Sequence, residues 1–316
     1  MTTPRSLVKN LARGQIPARP LFIPLVFTLA AKLENVAVPT FLSNPTKLSN
    51  SLTAVYRHLR IDGVTAYLDP TLEAEAFGCL LSWEDGRPVI ADQPGDAVLD
   101  SLFLGADQLA KMGRIPVALE VVRRLRTTLR DAALIVGLSG PLAMSQAIVT
   151  PDFGQRLATG ERQAEDIFGG LAEATLQLAQ LYCQAGADVI LVNESPLSPL
   201  TEDAFAIWDQ AMSGVWNVAR FHDALPVCMV AGGWNVSPLP AGDPVLCYSA
   251  GGATTRPHAL TLSPHGEQLL SQPDTACVLV TTFGEIPYET DIQQLESLVN
   301  QLRIWAYRQP GGRRYD

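Results

Sequence analysis

Two carboxylates stand just beyond apolar runs that are typical of buried β-strands. Asp69 follows the run GVTAYL, and Glu285 follows the run ACVLVTTFG near the end of the chain. In a barrel of parallel strands, the side chains that do chemistry lie at the carboxyl ends of the strands. A desolvated carboxylate there stabilises positive charge that develops on a ligand, and two facing carboxylates supply an acid and a base. We therefore predict that Asp69 and Glu285 are catalytic.

Asp69 also has a structural interpretation. Aspartate is a favoured N-cap, and Pro70 after it is typical of the first helical position. The segment TLEAEAFG that follows has a helical composition. Asp69 is therefore expected to act on a ligand, to cap this helix, or to do both.

Other polar side chains near strand ends are predicted to contact the substrate. Trp234 and Asn235 are expected to form a stacking and hydrogen-bonding wall, the alternative being a turn with a packed Trp. Arg256 is the best candidate partner for an anion, the alternative being a solvated surface Arg. For Ser195 the alternative is a loop or cap role before Pro196. The predicted substrate-binding residues are Ser139, Glu194, Ser195, Trp234, Asn235, Tyr248 and Arg256.

The elements that must position these residues alternate along the chain. Strand-like runs lie near 20–27, 63–69, 133–141, 187–195, 226–233, 244–252, 258–264 and 276–284, with helical patterns between most of them. This order predicts an α/β fold, a single-domain (β/α)8 TIM barrel over residues 20–309, with an N-terminal extension at 1–19 and a tail at 310–316. The alternative is an open doubly wound sheet, but no GxGxxG follows the first strand.

Composition narrows the function classes. The 316 residues are 47% hydrophobic and carry a net charge of −9, without a basic stripe that would bind nucleic acid. The apolar stretch at 21–31 is too short to span a bilayer and contains Pro24. The five cysteines include no CxxC pair, as in reduced cytosolic proteins. A cytoplasmic protein that does not bind membranes is expected.

Five segments together resemble the uroporphyrinogen decarboxylase superfamily, from about residue 20 to residue 305. They are RIDGVTAYLDPTLEAEAFGCLLSWEDGRPVI, LIVGLSGPLAMSQAI, QAGADVILVNESPLSPLTEDAF, PVCMVAGGWN and VTTFGEIPYETDIQQLESLVNQL. The resemblance implies the barrel fold and a homodimer. It matches Asp69 to the family's essential Asp and Ser195 to a serine that contacts substrate.

The superfamily has two main chemistries, and this chain departs from both patterns. Its methyltransferases hold zinc with a His-x-Cys and a distant Cys, and the matching positions here are Val230, Gly232 and Phe283. We therefore predict no metal and no cofactor. Its decarboxylases place an Arg cluster after the first strand, where FTLAAKLENV has only Lys32. Fewer cations favour a small or less charged substrate, or a large planar apolar one.

Three functions are consistent with these observations. The first is a metal-independent lyase of the decarboxylase-like branch, with Asp69 at its centre. The second is a degenerate methyltransferase that works with a corrinoid carried by a partner protein. The third is a binding protein without catalysis on the same barrel.

Overall fold

Apolar strand-like runs and amphipathic helical segments alternate in the sequence, and the structure follows this order. The structure is a computed structural model, and it describes residues 3–17, 19–194, 202–229, 245–249, 258–262 and 277–307. Its elements, in chain order, are α1 (Pro4–Ala12), β1 (Leu21–Phe22), α2 (Leu29–Leu33), α3 (Val38–Ser43), α4 (Pro45–Leu59), β2 (Gly63–Tyr67), α5 (Thr71–Ala76), β3 (Leu80–Glu84), β4 (Arg87–Asp92), a 3₁₀-helix (Gly95–Ser101), α6 (Ala106–Leu109), α7 (Ile115–Thr128), β5 (Ala133–Ser139), α8 (Pro141–Ile148), α9 (Phe153–Ala158), α10 (Arg162–Ala185), β6 (Val189–Asn193), α11 (Glu202–Phe221), β7 (Leu225–Met229), β8 (Val245–Ser249), β9 (His258–Leu262), β10 (Cys277–Thr282) and α12 (Ile292–Tyr307).

Eight of these strands form one parallel sheet in the order β1-β10-β9-β8-β7-β6-β5-β2. The two ends of the sheet meet between β1 and β2. The Asp62 amide donates to the Phe22 carbonyl at 3.0 Å, and the Phe22 amide donates to Asp62 Oδ2 at 2.8 Å. The predicted (β/α)8 barrel is therefore confirmed, and the open doubly wound sheet is not adopted.

Two buried clusters follow from the alternation of side chains along the strands. One cluster lies between the sheet and the surrounding helices and includes Val64, Val136 and Val192. The other fills the barrel interior and includes Ile23, Ile135 and further alternate strand residues. A strand buried on both faces needs the nearly continuous apolar runs that the sequence shows.

Helix α1 packs against the interior cluster at the amino-terminal end of the barrel, through Leu7, Val8 and Leu11. An ion pair fixes it there, because Arg5 Nε lies 3.0 Å from Asp188 Oδ1, just before β6. No helix in the described part of the chain is long and apolar enough to cross a membrane.

A two-stranded antiparallel hairpin, β3–β4, extends from the barrel between α5 and α7. Its turn is Asp85-Gly86, and both residues have positive φ, 49° and 79°. Asp-Gly in this conformation is typical of tight hairpin turns. The Pro- and Gly-rich stretch at 85–96 was not among the predicted strands, yet it contributes β4.

Candidate functional site

The Asp69 carboxylate is buried at the carboxyl end of β2, with 7% of the residue exposed. Its Oδ1 accepts the Thr71 amide at 2.9 Å and the Thr71 hydroxyl at 2.8 Å, at the start of α5. Its Oδ2 accepts a hydrogen bond from Arg114 Nη1. Asp69 therefore binds the first residue of α5 as a capping residue would, but the N-cap position itself is Pro70, one residue later than predicted. Its second oxygen binds a buried cation.

Arg114 joins Asp69 to a second carboxylate. Its Nε donates to Glu75 Oε2 at 2.7 Å, and its Nη2 donates to the Thr71 hydroxyl at 3.0 Å. The side chain is 9% exposed. Two carboxylates and one guanidinium leave the cluster of Asp69, Glu75 and Arg114 with one net negative charge. A ligand cation beside this cluster would be stabilised.

Sequence reasoning missed Arg114, although a signal was present. Arg114 is the N-cap of α7, directly before Ile115 and Pro116. A cation at a helix N-terminus opposes the helix dipole, so another contact must favour its placement there. That contact is Asp69, 45 residues earlier in the chain.

Glu73 and Ser139 form a second polar pair beside this cluster. Glu73 lies on α5 with 1% of the residue exposed, and Ser139 is the partly exposed last residue of β5. The Ser139 amide donates to Glu73 Oε1 at 3.3 Å, and Ser139 Oγ lies 3.1 Å from Glu73 Oε2. Burial raises the pKa of Glu73 to about 8, although its hydrogen bonds oppose this. Glu73 was not predicted as a site residue.

Glu194 lies at the end of β6 with no exposed surface. Its Oε2 accepts the Ala143 amide at 2.9 Å in the first turn of α8, and its Oε1 accepts the Trp208 indole N–H at 2.6 Å. Burial raises its pKa to about 7, against these hydrogen bonds. These contacts give Glu194 a structural role, and its contact with substrate stays a prediction.

Glu285 lies just after β10, where the chain leaves the barrel. Its Oε1 accepts the Thr28 hydroxyl at 2.5 Å and also the Thr28 amide, beyond β1. Burial raises the pKa of Glu285 to about 7, and the negative charge of Asp69 adds to this. Lys32 donates nearby to backbone carbonyls, including that of Thr290 at 3.1 Å. Lys32 therefore holds the segment after β10 close to α2.

Asp69 and Ser139 both contact residues of α5, so the structure places them near each other. Glu285 follows β10, the strand that pairs with β1. Two apolar side chains near the described strand ends, Leu68 and Phe283, pack against the interior cluster. Four predicted residues lie outside the described residues: Ser195, Trp234, Asn235 and Arg256. Tyr248 is the fourth residue of β8, and its side chain is outside the description.

The positions that match the zinc ligands of family methyltransferases do not fit a zinc ion. Phe283 presents an apolar ring that packs on the interior cluster, and Val230 and Gly232 have no donor atom in their side chains. Within the ranges that the structure describes, no three His, Cys, Asp or Glu side chains are grouped to hold a metal ion.

Comparison with known proteins gives three findings. Residues 3–227 match the family model described as "Uroporphyrinogen decarboxylase (URO-D)". Among solved structures, a methyltransferase from Methanosarcina mazei is similar, with a TM-score of 0.73 and 18% identity over 96% of this chain and 99% of that chain. No curated protein sequence matches. At such low identity, the structural likeness shows the fold alone.

Proposed function

The chain belongs to the uroporphyrinogen decarboxylase family, and from this premise we propose that it is a metal-independent lyase of the decarboxylase-like branch. It acts on a carboxylated substrate, small or planar, in the mouth of the barrel. Asp69 is the central carboxylate, and Glu285 is its acid/base partner.

The observation that carries the proposal is the buried cluster around Asp69. Loss of CO₂ from an acetate group on an electron-rich ring begins with a proton added to the ring, which becomes a cation. As CO₂ leaves, the C–C bonding electrons form an exocyclic C=C bond that neutralises the ring. The exocyclic carbon then takes up a proton and becomes a methyl group, and the ring releases the proton that it gained first. A preorganised negative charge lowers the energy of the cation, because it needs no reorganisation during the reaction. Asp69, Glu75 and Arg114 provide one net negative charge at the end of β2.

Glu285 supports the proton transfers. Burial and the charge of Asp69 raise its pKa to about 7, so it exchanges protons readily near neutral pH. Thr28 holds the carboxyl in place with its amide and its hydroxyl. The apolar surroundings of Phe283 and Leu68 favour a substrate with fewer carboxylates than uroporphyrinogen has.

The test is CO₂ release from ring acetates that carry ¹³C in the carboxyl group, with uroporphyrinogen and pyrrole-2-acetate as the two probes. Asp69→Asn should lower turnover by about 100-fold or more, since the variant removes the negative charge. The matched control is Glu84→Gln on the exposed end of β3, which should leave turnover unchanged. A folded Asp69→Asn variant with wild-type turnover would remove Asp69 from the mechanism.

Methyl transfer with a corrinoid partner protein is the second candidate. The superfamily that the chain resembles includes such methyltransferases, and the methyltransferase from Methanosarcina mazei shares the fold over nearly all of both chains. Methylcobalamin with a thiol acceptor is the probe, and demethylation is followed by absorbance. Methyl loss that depends on the protein, together with stoichiometric zinc in the purified protein, would rank this function first.

A homodimer is a further part of the proposal, since the family resemblance implies it. Exposed apolar side chains on the hairpin, Leu80 and Trp83, are compatible with a contact between two copies. Light scattering of the purified protein measures the mass directly.

A further inference from the structure

Glu73 is a buried acid that the proposed mechanism does not use. Only 1% of the residue is exposed, yet its carboxyl reaches Ser139 at the carboxyl end of β5. On β5, Ile135 belongs to the interior cluster and Gly137 lies against Leu68. Alternation along the strand therefore places Ser139 on the inner side of the barrel, at the mouth.

The two oxygens of Glu73 have different partners. Oε1 accepts the Ser139 amide at 3.3 Å, whereas Oε2 lies 3.1 Å from Ser139 Oγ. A hydroxyl has one proton to donate and two lone pairs to accept. If Glu73 keeps its proton on Oε2, that proton points at Ser139 Oγ, and the serine's own proton must point elsewhere. The partly exposed side of Ser139 is the mouth.

We propose that the Glu73–Ser139 pair is a recognition element for an anionic oxygen of the substrate, in which Glu73 orients the Ser139 hydroxyl as a donor into the barrel mouth. The inference rests on the proposed function, because it assigns the bound oxygen to the carboxylate of that substrate. Ser139 touches the ligand, and Glu73 is a positioning residue that acts through it.

Burial and one neighbouring charge favour the protonated form of Glu73, whereas its hydrogen bonds favour the ionised form. Burial raises the pKa of Glu73 to about 8, and the charge of Asp69 on β2 adds to this. Tyr67 on β2 and Tyr182 on α10 also face the acid, and each feels its charge. Within the described ranges, the other charged groups near the pair are Arg114 and Glu75, which bind each other, and Glu194, whose carboxyl packs against Gly140 beside Ser139.

The proposal predicts a direction for the pH dependence of binding. Below pH 8, protonated Glu73 donates to Ser139 Oγ, and the serine proton remains for the ligand. Above pH 8, ionised Glu73 accepts the serine proton, so the ligand meets a lone pair and a nearby negative charge. Affinity for a carboxylate should therefore fall as the pH rises through 8.

Calorimetric titration with pyrrole-2-acetate tests this, with 2-ethylpyrrole as the probe that lacks the carboxylate. Wild-type affinity for pyrrole-2-acetate should fall about tenfold between pH 7 and pH 9, the effect of one lost charge-assisted hydrogen bond. Glu73→Gln carries a permanent amide donor toward Ser139, so it should keep the neutral-pH affinity and lose the pH dependence. Ser139→Ala should bind pyrrole-2-acetate about tenfold more weakly at pH 7 and bind 2-ethylpyrrole as wild type does.

Infrared difference spectra between wild type and Glu73→Gln give a readout that needs no ligand. A protonated carboxylic acid band should be present in wild type, titrate near pH 8 and be absent from the variant. The proposal is overturned if that band is missing, if Glu73→Gln keeps the wild-type pH dependence, or if wild type does not bind pyrrole-2-acetate. Binding that follows the expected pattern without any CO₂ release would instead refute only the lyase.

Discussion

At the scale of single residues, Asp69 and Arg114 depend on each other. Both are buried, and each supplies a charge that the other needs. The Thr71 hydroxyl and Glu75 satisfy further donors of the guanidinium. A buried charge without its partner is costly, whereas a complete pair is close to neutral for stability. The geometry of Asp69 therefore depends on a residue that does not touch the ligand.

Replacing Arg114 with methionine should destabilise the protein strongly. The variant keeps an unbranched apolar stem but lacks the guanidinium, so Asp69 is buried without a cation, which costs about 3–5 kcal/mol in comparable pairs. Urea unfolding at pH 7 measures the loss.

The double variant Asp69→Asn/Arg114→Met is the matched control. It removes both charges at once, and Asn can still accept the Thr71 amide. Its loss of stability should be smaller than the sum of the two single losses, since the pair is coupled. Additive losses would show that Arg114 stabilises the fold independently of Asp69.

The sequence predicted part of this residue network. Asp69 was found because it terminates an apolar run and precedes Pro70, two local signals. Arg114 and Glu73 were not found, because their partners lie 45 and 66 residues away. Such pairings depend on which strand ends meet in the barrel, and this information is absent from any short window of sequence.

At the scale of elements, the junction of β5, α8 and β6 is tightly packed around a glycine. Gly140 is the N-cap of α8, and a Cβ atom there would lie 2.1 Å from Glu194 Cδ. The absence of a side chain at Gly140 thus allows the Glu194 carboxyl to approach the amides of the first turn of α8. A carboxylate at a helix N-terminus also interacts favourably with the helix dipole.

Gly140→Ala should therefore destabilise the protein by about 1–3 kcal/mol, the usual cost of overpacking. Gly169→Ala on α10 is the matched control, because a Cβ atom at Gly169 meets nothing within 4 Å. That second change should stabilise the helix by up to about 1 kcal/mol. Thermal unfolding compares the two variants. Equal effects from both would mean that Glu194 moves aside without cost.

Most elements could be predicted because their signals are local. Gly186 follows α10 with a φ of 111°, and a glycine in this conformation is a common local signal for the end of a helix. The first strand was expected over 20–27 but spans only Leu21–Phe22, because Pro24 has no amide to donate to a ladder. The hairpin was missed, although Asp85-Gly86 between two short polar-apolar runs indicated it.

At the scale of the whole molecule, closure of the barrel depends on Asp62. Its amide and its carboxylate both bond to Phe22, and its carboxylate also accepts two hydrogen bonds from Arg19, each 2.6 Å long. The sequence order of strands and helices predicted a barrel, but it did not identify the residue that closes the sheet.

Two fully buried acids and the partly exposed Glu285 link the stability of the barrel to pH. Burial raises the pKa of Glu73 to about 8 and those of Glu194 and Glu285 to about 7, all from 4.5. Between pH 4.5 and these values, the folded protein binds more protons than the unfolded chain does. The free energy of unfolding must then fall as the pH rises.

We therefore expect the protein to be more stable at pH 5 than at pH 8, with a slope of up to about 1.4 kcal/mol per pH unit for each acid. Urea unfolding at pH 5, 6, 7 and 8 measures this slope. Glu73→Gln removes one of the three acids, so it should lower this slope by up to about 1.4 kcal/mol per pH unit, most clearly between pH 5 and pH 7. Glu84→Gln on the exposed hairpin should leave the slope unchanged. Stability that rises with pH over this range would mean that these acids ionise in the folded barrel without penalty, and the orientation of Ser139 by a protonated Glu73 would then be untenable.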